Sequence, residues 1–475
     1  MRITIEPGGP LKGELTPPPD KSISHRAVML ASIAKGKSRI EDLLLAADTI
    51  STLKAIKLLG AKIKGYGQKI PVPGFGARYQ NYEITGNGLY GLSEPASFIN
   101  CGNSGTTTRL LCGLLSGNPF FSVLSGDKSL NSRPMKRVIK PLAEMGAQIM
   151  ARASDSYPPI AIRGGKLKGI KYEMPVASAQ VKSALMLAGL YADGETAIKE
   201  PSPSRDHTEK MLSSMGAEVK EEWGIKEGYI TEDFMGMGAE HVIKIRKMSN
   251  ELNPFEIRIP GDFSSAAFFI VGALITRNSE ILIKNVCLNP TRTGFLGALK
   301  SMGAKIDVEN LKVISGGSVK GEAVRISGDL VGDLRVKGDQ ELRAINIGKS
   351  SVPLMIDELP ILFIAAACAK GRSEIRGAAD LRVKESDRIK AMAAGLKAMD
   401  IEVEEFEDGL AITGGKMKGA RIDSFGDHRI AMSFAMAGLA ASGITEIENG
   451  REAVKISYPE FFPRLYELLG SSRND

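Results

Sequence analysis

The chain has 475 residues, 43% hydrophobic and 25% charged, with a net charge of +7. That length calls for two or more cores, and no apolar run is long enough to span a bilayer. Cys101, Cys112, Cys287 and Cys368 form no Cys-x-x-Cys pair, which argues against a disulfide framework or a structural zinc and fits a reducing, cytosolic setting. The basic residues form no long runs and aromatics are only 6%, so small anions are favoured over nucleic acid as partners.

Met1 to Ile5 reads as a short strand rather than a signal peptide. One phrase then recurs six times. A polar cluster leads into an apolar helix, a Gly-x-Ser/Thr-like turn, a short strand and a second helix that usually closes on Leu/Met-Gly-Ala. The copies open at Asp20-Lys-Ser-Ile-Ser-His-Arg26, Asn103-Ser-Gly-Thr-Thr-Thr-Arg109, Ser178-Ala-Gln-Val-Lys182, Asp262-Phe-Ser-Ser265, Asp357-Glu-Leu-Pro360 and Asp427-His-Arg429. Four second helices end on Gly60, Gly146, Gly216 and Gly303, and the last two end on Met399-Asp400-Ile401 and Leu469-Gly470. Glycine there supplies a left-handed C-cap. Residues 65–95 and 224–255, rich in Gly, Pro and charge, are expected to be surface loops.

Each copy reads as strand, helix, strand, helix, strand, strand. Both helices have broad apolar faces that a unit this small cannot cover alone. Three units around shared helices would cover them, so six units make two domains of an α/β protein.

Ser, Asp and Asn at a helix opening are ordinary N-caps. The openings also carry Lys21, Arg26, Arg109, Lys182 and Arg429, and Arg133, Arg205, Arg292, Lys384 and Arg388 stand at second helices. A cation in the first turn opposes the helix dipole by up to about 1 kcal/mol. A charge-assisted bond to phosphate contributes roughly 1.5–3 kcal/mol, which outweighs that cost. The repeated placement therefore points to a cleft where helix N-termini converge on phosphate or carboxylate groups. No phosphate-loop motif or strand-linked G-x-G-x-x-G accompanies them, so a nucleotide is not the default ligand. Asp357, Glu358, Glu385 and Asp387 supply carboxylates among these cations, where a proton carrier can operate.

These segments resemble the signatures of the 5-enolpyruvylshikimate-3-phosphate synthase family. The likeness rests on Asp20–Arg26, Gly102-Asn-Ser-Gly-Thr106, Ser132-Arg-Pro134, Ser178-Ala-Gln180, Leu381-Arg-Val-Lys-Glu-Ser-Asp-Arg388 and Asp427-His-Arg429, in the family's order from Ile5 to about Leu469. Ser178–Ser183 and Arg205–Lys210 are closer to its glyphosate-tolerant, class II branch. The resemblance implies a two-domain enolpyruvyl transferase fold, each domain with three βαβαββ repeats around buried helices. The domains would be residues 1–20 with 261–475, and 21–260, hinged around the active-site cleft. It also implies transfer of the enolpyruvyl group of phosphoenolpyruvate to the 5-hydroxyl of shikimate 3-phosphate, without metal or organic cofactor. A cytoplasmic monomer with no nucleic-acid or membrane partner is expected.

Carried over residue by residue, Lys21, Ser22, Arg26, Ser178, Ala179, Gln180, Arg205, Asp357 and Lys384 would hold shikimate 3-phosphate. Lys21, Gly105, Arg133, Gln180, Arg388 and Arg429 would surround phosphoenolpyruvate. Asp357, Glu385 and Lys21 would carry protons. Lys455 stands one residue off the Lys that many members place before a Phe-Pro pair. Gly105 keeps the glycine that lets glyphosate fit, and Leu110 replaces a proline common in sensitive enzymes. The sister enzyme acting on UDP-N-acetylglucosamine carries Lys-Asn near the first helix and a catalytic Cys on a Gly-rich loop. Here Ser22 follows Lys21 and no Cys sits in such a loop. RNA 3′-phosphate cyclases share similar repeats but need a nucleotide-accepting His, whereas His25, His207 and His428 fall inside the motifs above.

Overall fold

The computed structural model describes residues 2–72, 76–224, 240–314, 317–318, 323–326 and 328–470. The chain divides into two compact units. The first is Met1–Pro18 with Pro260–Lys312 and Leu330–Asp475, and the second is Pro19–Ile259 with Val313–Asp329. Nothing in the repeat pattern marks the short 313–329 excursion, because it interrupts the fourth repeat between its last two strands.

Among the described residues, each unit holds three sheets. In the second unit, Ile99–Asn100 runs parallel to Phe121–Ser125, which pairs antiparallel with Tyr157–Arg163, and that strand pairs with Gln148–Ala151. Lys171–Glu173, Glu195–Glu200, Glu240–Arg246 and Val219–Gly224 repeat the order. So do Asn346–Ile347, Arg372–Ile375, Gly409–Thr413 and Glu402–Phe406 in the first unit. The parallel pair needs a helical crossover, and the last two strands close as an antiparallel pair. Three repeats borrow a strand from elsewhere in the chain. The first takes Phe255–Arg258, the fourth Lys12–Leu15 and the sixth Ile3–Ile5.

The C-cap expectation holds at every second helix. Gly60, Gly146, Gly216 and Gly303 sit at φ between 93° and 99°, and Asp400 and Gly470 both at 66°. The first helices make the cores. In Leu359–Ala367 all nine residues are buried, as a helix apolar on every side must be. Each buried Phe or Leu contributes roughly 1.5–3 kcal/mol, and Phe263, Phe268, Phe269 and Leu274 line one such helix. In the second unit, helices Gly105–Ser116 and Ala179–Gly189 approach backbone to backbone. A Cβ on Gly113 would lie 2.0 Å from the Ala184 carbonyl oxygen, so only glycine allows that approach.

The first expected loop is largely strand, and the described part of the second contains a strand. Lys62–Val72 and Gly76–Asn87 pair antiparallel, burying Tyr82 and Ile84. Glu240–Arg246 buries Ile243 and Ile245. Gly and charge on the outward face masked an alternating inward face. Residues 88–98 and 247–254 lack regular structure, and 225–239 lie outside the described residues. Cys101, Cys112 and Cys287 are buried and Cys368 half-buried. Burial pushes the Cys101 thiol up to about 11, which fits a packing group.

Candidate active site

In the second unit three helix N-termini are tied together by buried hydroxyls. Asp20, Ser104 and Ser178 cap helices Lys21–Ile33, Gly105–Ser116 and Ala179–Gly189, accepting from the amides of Ile23, Thr107 and Val181. His25 Nδ1 lies 2.7 Å from Thr52 Oγ1, Thr52 2.7 Å from Thr107, and Thr107 donates to Ser104 Oγ at 2.7 Å. Burial, reinforced by Lys21 and Arg26, holds His25 well below the usual imidazole range, so it is a neutral link.

The cations sit on this frame. Arg26 is 3% exposed. Its Nε donates to Thr208 Oγ1 at 2.7 Å, Nη1 to the Ser22 carbonyl at 3.0 Å and Nη2 to Ser183 Oγ at 2.8 Å. Arg205 Nη1 reaches Ser22 Oγ at 3.3 Å. Lys21 Nζ lies 3.2 Å from Asp48 Oδ2. Arg133 donates to Asn103 Oδ1, and to Ser129 Oγ at 3.2 Å. Arg109 Nη1 donates to Gln180 Oε1 at 2.7 Å, and Gln180 Nε2 donates to Thr106 Oγ1 at 2.8 Å. Gly105 opens its helix between two guanidiniums, where a Cβ would stand 3.0 Å from Arg109 Nη1 and 3.4 Å from Arg133 Nη1. All nine residues expected from this unit (Lys21, Ser22, Arg26, Gly105, Arg133, Ser178, Ala179, Gln180 and Arg205) lie on these helix ends or the segments beside them.

The first unit gathers a different set. Five of the six repeats cap the first helix with a side chain. The fifth does not. Its N-cap is Glu358, with no side-chain cap bond, and Pro360 sits in the first turn. Asp357, one residue earlier, turns its carboxylate toward cations instead. Lys384 Nζ is 3.9 Å away, Arg388 Nη1 3.6 Å and Arg429 Nη2 3.7 Å. Arg429 Nη1 also donates to the Asp357 carbonyl at 2.7 Å. Arg388 is held from behind by Asp427 at 2.8 Å and Glu385 at 2.6 Å. Burial opposes its charge, but Asp427 and Glu385 outweigh burial and raise its pKa further. Lys384 goes the other way. Desolvation lowers its pKa, Arg388 repels it, and Asp357 offsets only part of this. Asp357, Lys384, Glu385, Arg388 and Arg429 thus form one cluster.

Two expected anion-binding cations are not available. Lys182 is fully buried and paired with Glu200 at 2.9 Å and Glu209 at 2.7 Å. Arg292 is 1% exposed and donates to Ser264 Oγ at 2.8 Å, which in turn donates to Glu358. Carboxylates remote in sequence close both off. Lys455 makes an exposed pair with Glu452 at 2.7 Å. Sequence reasoning missed Asp48, Asn103 and the part of Arg109 in holding Gln180. Among the described residues, the one group with metal-like spacing is Asp206, His207 and Asp329, and the Lys210 ammonium already lies against both carboxylates. That arrangement disfavours a cation there.

The profile of the EPSP synthase (3-phosphoshikimate 1-carboxyvinyltransferase) family matches residues 5–465. The 3-phosphoshikimate 1-carboxyvinyltransferase of Thermodesulfovibrio yellowstonii is 49% identical over 99% of this chain and 100% of its own. The enzyme of that name from Carboxydothermus hydrogenoformans is 47% identical over 98% and 99%. The solved EPSP synthase of Acinetobacter baumannii superposes with a TM-score of 0.78 at 43% identity, covering 98% of both chains. The enolpyruvyl transferase NikO of Streptomyces tendae, at 16% identity and a TM-score of 0.70 over 98% of this chain and 96% of its own, shares the fold. By the family profile and these relatives, the chain belongs to the EPSP synthase (3-phosphoshikimate 1-carboxyvinyltransferase) family.

Proposed function

We propose that this chain transfers the enolpyruvyl group of phosphoenolpyruvate to the 5-hydroxyl of shikimate 3-phosphate, releasing phosphate. The observation that carries the reading is Asp357. It precedes a first helix that no side chain caps, and its carboxylate faces Lys384, Arg388 and Arg429.

The hydroxyl oxygen attacks C2 of phosphoenolpyruvate as its proton passes to Asp357. The methylene carbon takes a proton from Glu385, which gives a tetrahedral intermediate. The C2–O bond to phosphate then breaks as Glu385 takes a proton back from the methyl group, and the hydroxyl proton held by Asp357 leaves with the phosphate. Lys21 is a further proton carrier. Lys384 has a lowered pKa, which suits an ammonium that holds a hydroxyl beside a working carboxylate. Arg133, Arg388 and Arg429 stabilise phosphate and carboxylate charge as it shifts. Ser22, Arg26, Ser178, Ala179, Gln180 and Arg205 hold shikimate 3-phosphate, and Gly105 leaves room for phosphoenolpyruvate. Helix N-terminal amides supplement these cations. The protein acts as a cytoplasmic monomer without a cofactor. No helix among the described residues is long and apolar enough to cross a membrane.

The test is phosphate release from phosphoenolpyruvate with each acceptor in turn. Release only with shikimate 3-phosphate is expected. Release with UDP-N-acetylglucosamine alone would sink the assignment.

A further inference from the structure

The segment Arg205-Asp-His-Thr-Glu-Lys210 carries more buried polar chemistry than Arg205 alone uses. It opens helix His207–Ser214. Thr208 Oγ1 accepts from Arg26 Nε at 2.7 Å and lies 2.7 Å from Ser183 Oγ. Arg205 reaches Ser22 two residues before the helix. This one helix end therefore sets Arg205 directly and Arg26 through Thr208.

Its own N-cap does not hold it. Asp206 makes no side-chain cap bond and instead lies 3.1 Å from Lys210 Nζ. The anchor comes from 119 residues further along the chain. Asp329 Oδ1 accepts from Lys210 Nζ at 2.9 Å, and Oδ2 lies 3.2 Å from His207 Nδ1. Asp329 is 9% exposed and His207 1%. Burial opposes ionisation of Asp329, but His207 and Lys210 outweigh it and hold the carboxyl far below its usual range. An ionised acceptor requires Nδ1 of His207 to be the donor. Asp329 is fixed in turn at the neck of the 313–329 excursion, where its carbonyl accepts from the Ile314 amide at 2.8 Å and the Gly328 amide donates to the Ile314 carbonyl at 3.1 Å.

We propose that Asp329 and His207 are positioning residues for shikimate 3-phosphate. They touch no reacting atom. They hold the helix end that presents Arg205 and, through Thr208, Arg26. The proposal rests on the shikimate 3-phosphate reading above. A misplacement of about 1 Å in a positioning group can cost on the order of 100-fold, and a neutral isostere that keeps the packing should cost less, roughly tenfold.

The experiment is calorimetric binding of shikimate 3-phosphate to the full-length wild type, Asp329→Asn, Arg205→Ala and the double variant. The KM for phosphoenolpyruvate is measured alongside. Asp329→Asn is expected to weaken shikimate 3-phosphate about tenfold and leave the phosphoenolpyruvate KM within about twofold. Its effect should shrink in the Arg205→Ala background, as it must for residues that act through each other. An unchanged shikimate 3-phosphate Kd in folded Asp329→Asn overturns the proposal alone. So does a parallel loss of both substrates with full additivity, which marks a merely structural role. A wild type that does not bind shikimate 3-phosphate overturns the functional reading and this proposal together. If Asp329→Asn does not fold, His207→Gln carries the same comparison with the same outcomes.

Discussion

Two clusters of cations and carboxylates in this molecule differ in how far they are closed off. The Lys182 cluster is sealed. Lys182, Glu200 and Glu209 have no exposed side-chain surface, and His241 bridges Glu200 at 2.8 Å and Glu221 at 2.9 Å. Burial works against the Lys182 charge, but Glu200 and Glu209 outweigh it and raise its pKa. Burial likewise opposes Glu200, yet Lys182 and its hydrogen bonds hold it low, whereas burial wins at Glu209 and raises it. The Asp357 cluster keeps 17% of Asp357 and 31% of Lys384 open, and although Arg388 is tightly paired with Glu385 and Asp427, the ion pairs of Asp357 itself are longer, at 3.6–3.9 Å. A sealed cluster with short bonds is already satisfied and can only stabilise. An open one with long bonds has capacity left for a ligand.

Asp357→Asn should separate the two most sharply. It keeps the shape and removes the proton acceptor, so turnover should fall by on the order of 10²- to 10⁴-fold, with shikimate 3-phosphate binding retained by calorimetry. Wild-type turnover would remove Asp357 from proton transfer. Lys182→Met tests the sealed side. Breaking a buried pair leaves uncompensated carboxylates and costs about 3–5 kcal/mol, read from the urea midpoint. The folded fraction should keep its kcat, and adding Glu209→Gln should recover part of the stability. A low kcat with unchanged stability would make Lys182 a site residue after all.

Arg133→Ala should raise the phosphoenolpyruvate KM roughly 10- to 100-fold, from about 1.5–3 kcal/mol for a charge-assisted bond. An unchanged KM would remove it from the site. The smallest effect concerns pH. Burial alone would lower His241, but its bonds to Glu200 and Glu221 raise it above 6.5. A raised folded pKa stabilises fully below the unfolded value and loses that contribution as pH rises through the folded one. Urea midpoints of wild type and His241→Gln should therefore converge as pH climbs through that range. Trp223, the chain's one tryptophan, stacks on His241 at 4.0 Å and can report the titration by fluorescence. A constant gap between the midpoints would show that His241 does not change charge there.

The repeats were legible because each copy restates its caps. Asp20, Ser178 and Asp427 open helices and Gly60, Gly146, Gly216 and Gly303 close them, all by local rules. The candidate site was legible where such local signals met a family motif, as at Asp357 and Lys384-Glu385. The rest was hidden because charge is neutralised at a distance. Nothing around Lys182 announces Glu200 and Glu209, 18 and 27 residues away, so its helix opening reads like that of Lys21. Asp329 lies in no repeat motif. The strands at 62–87 were obscured by outward Gly and Lys, although Tyr82 and Ile84 alternate inward.

On the proposed function, the open cluster does the chemistry and the sealed one does not. This is tested most directly by shikimate 3-phosphate-dependent phosphate release from phosphoenolpyruvate, with wild type, Asp357→Asn and folded Lys182→Met assayed side by side. Release by wild type and Lys182→Met at comparable kcat is expected, with loss in Asp357→Asn. Release by Asp357→Asn at the wild-type rate, or loss in folded Lys182→Met alone, would contradict it.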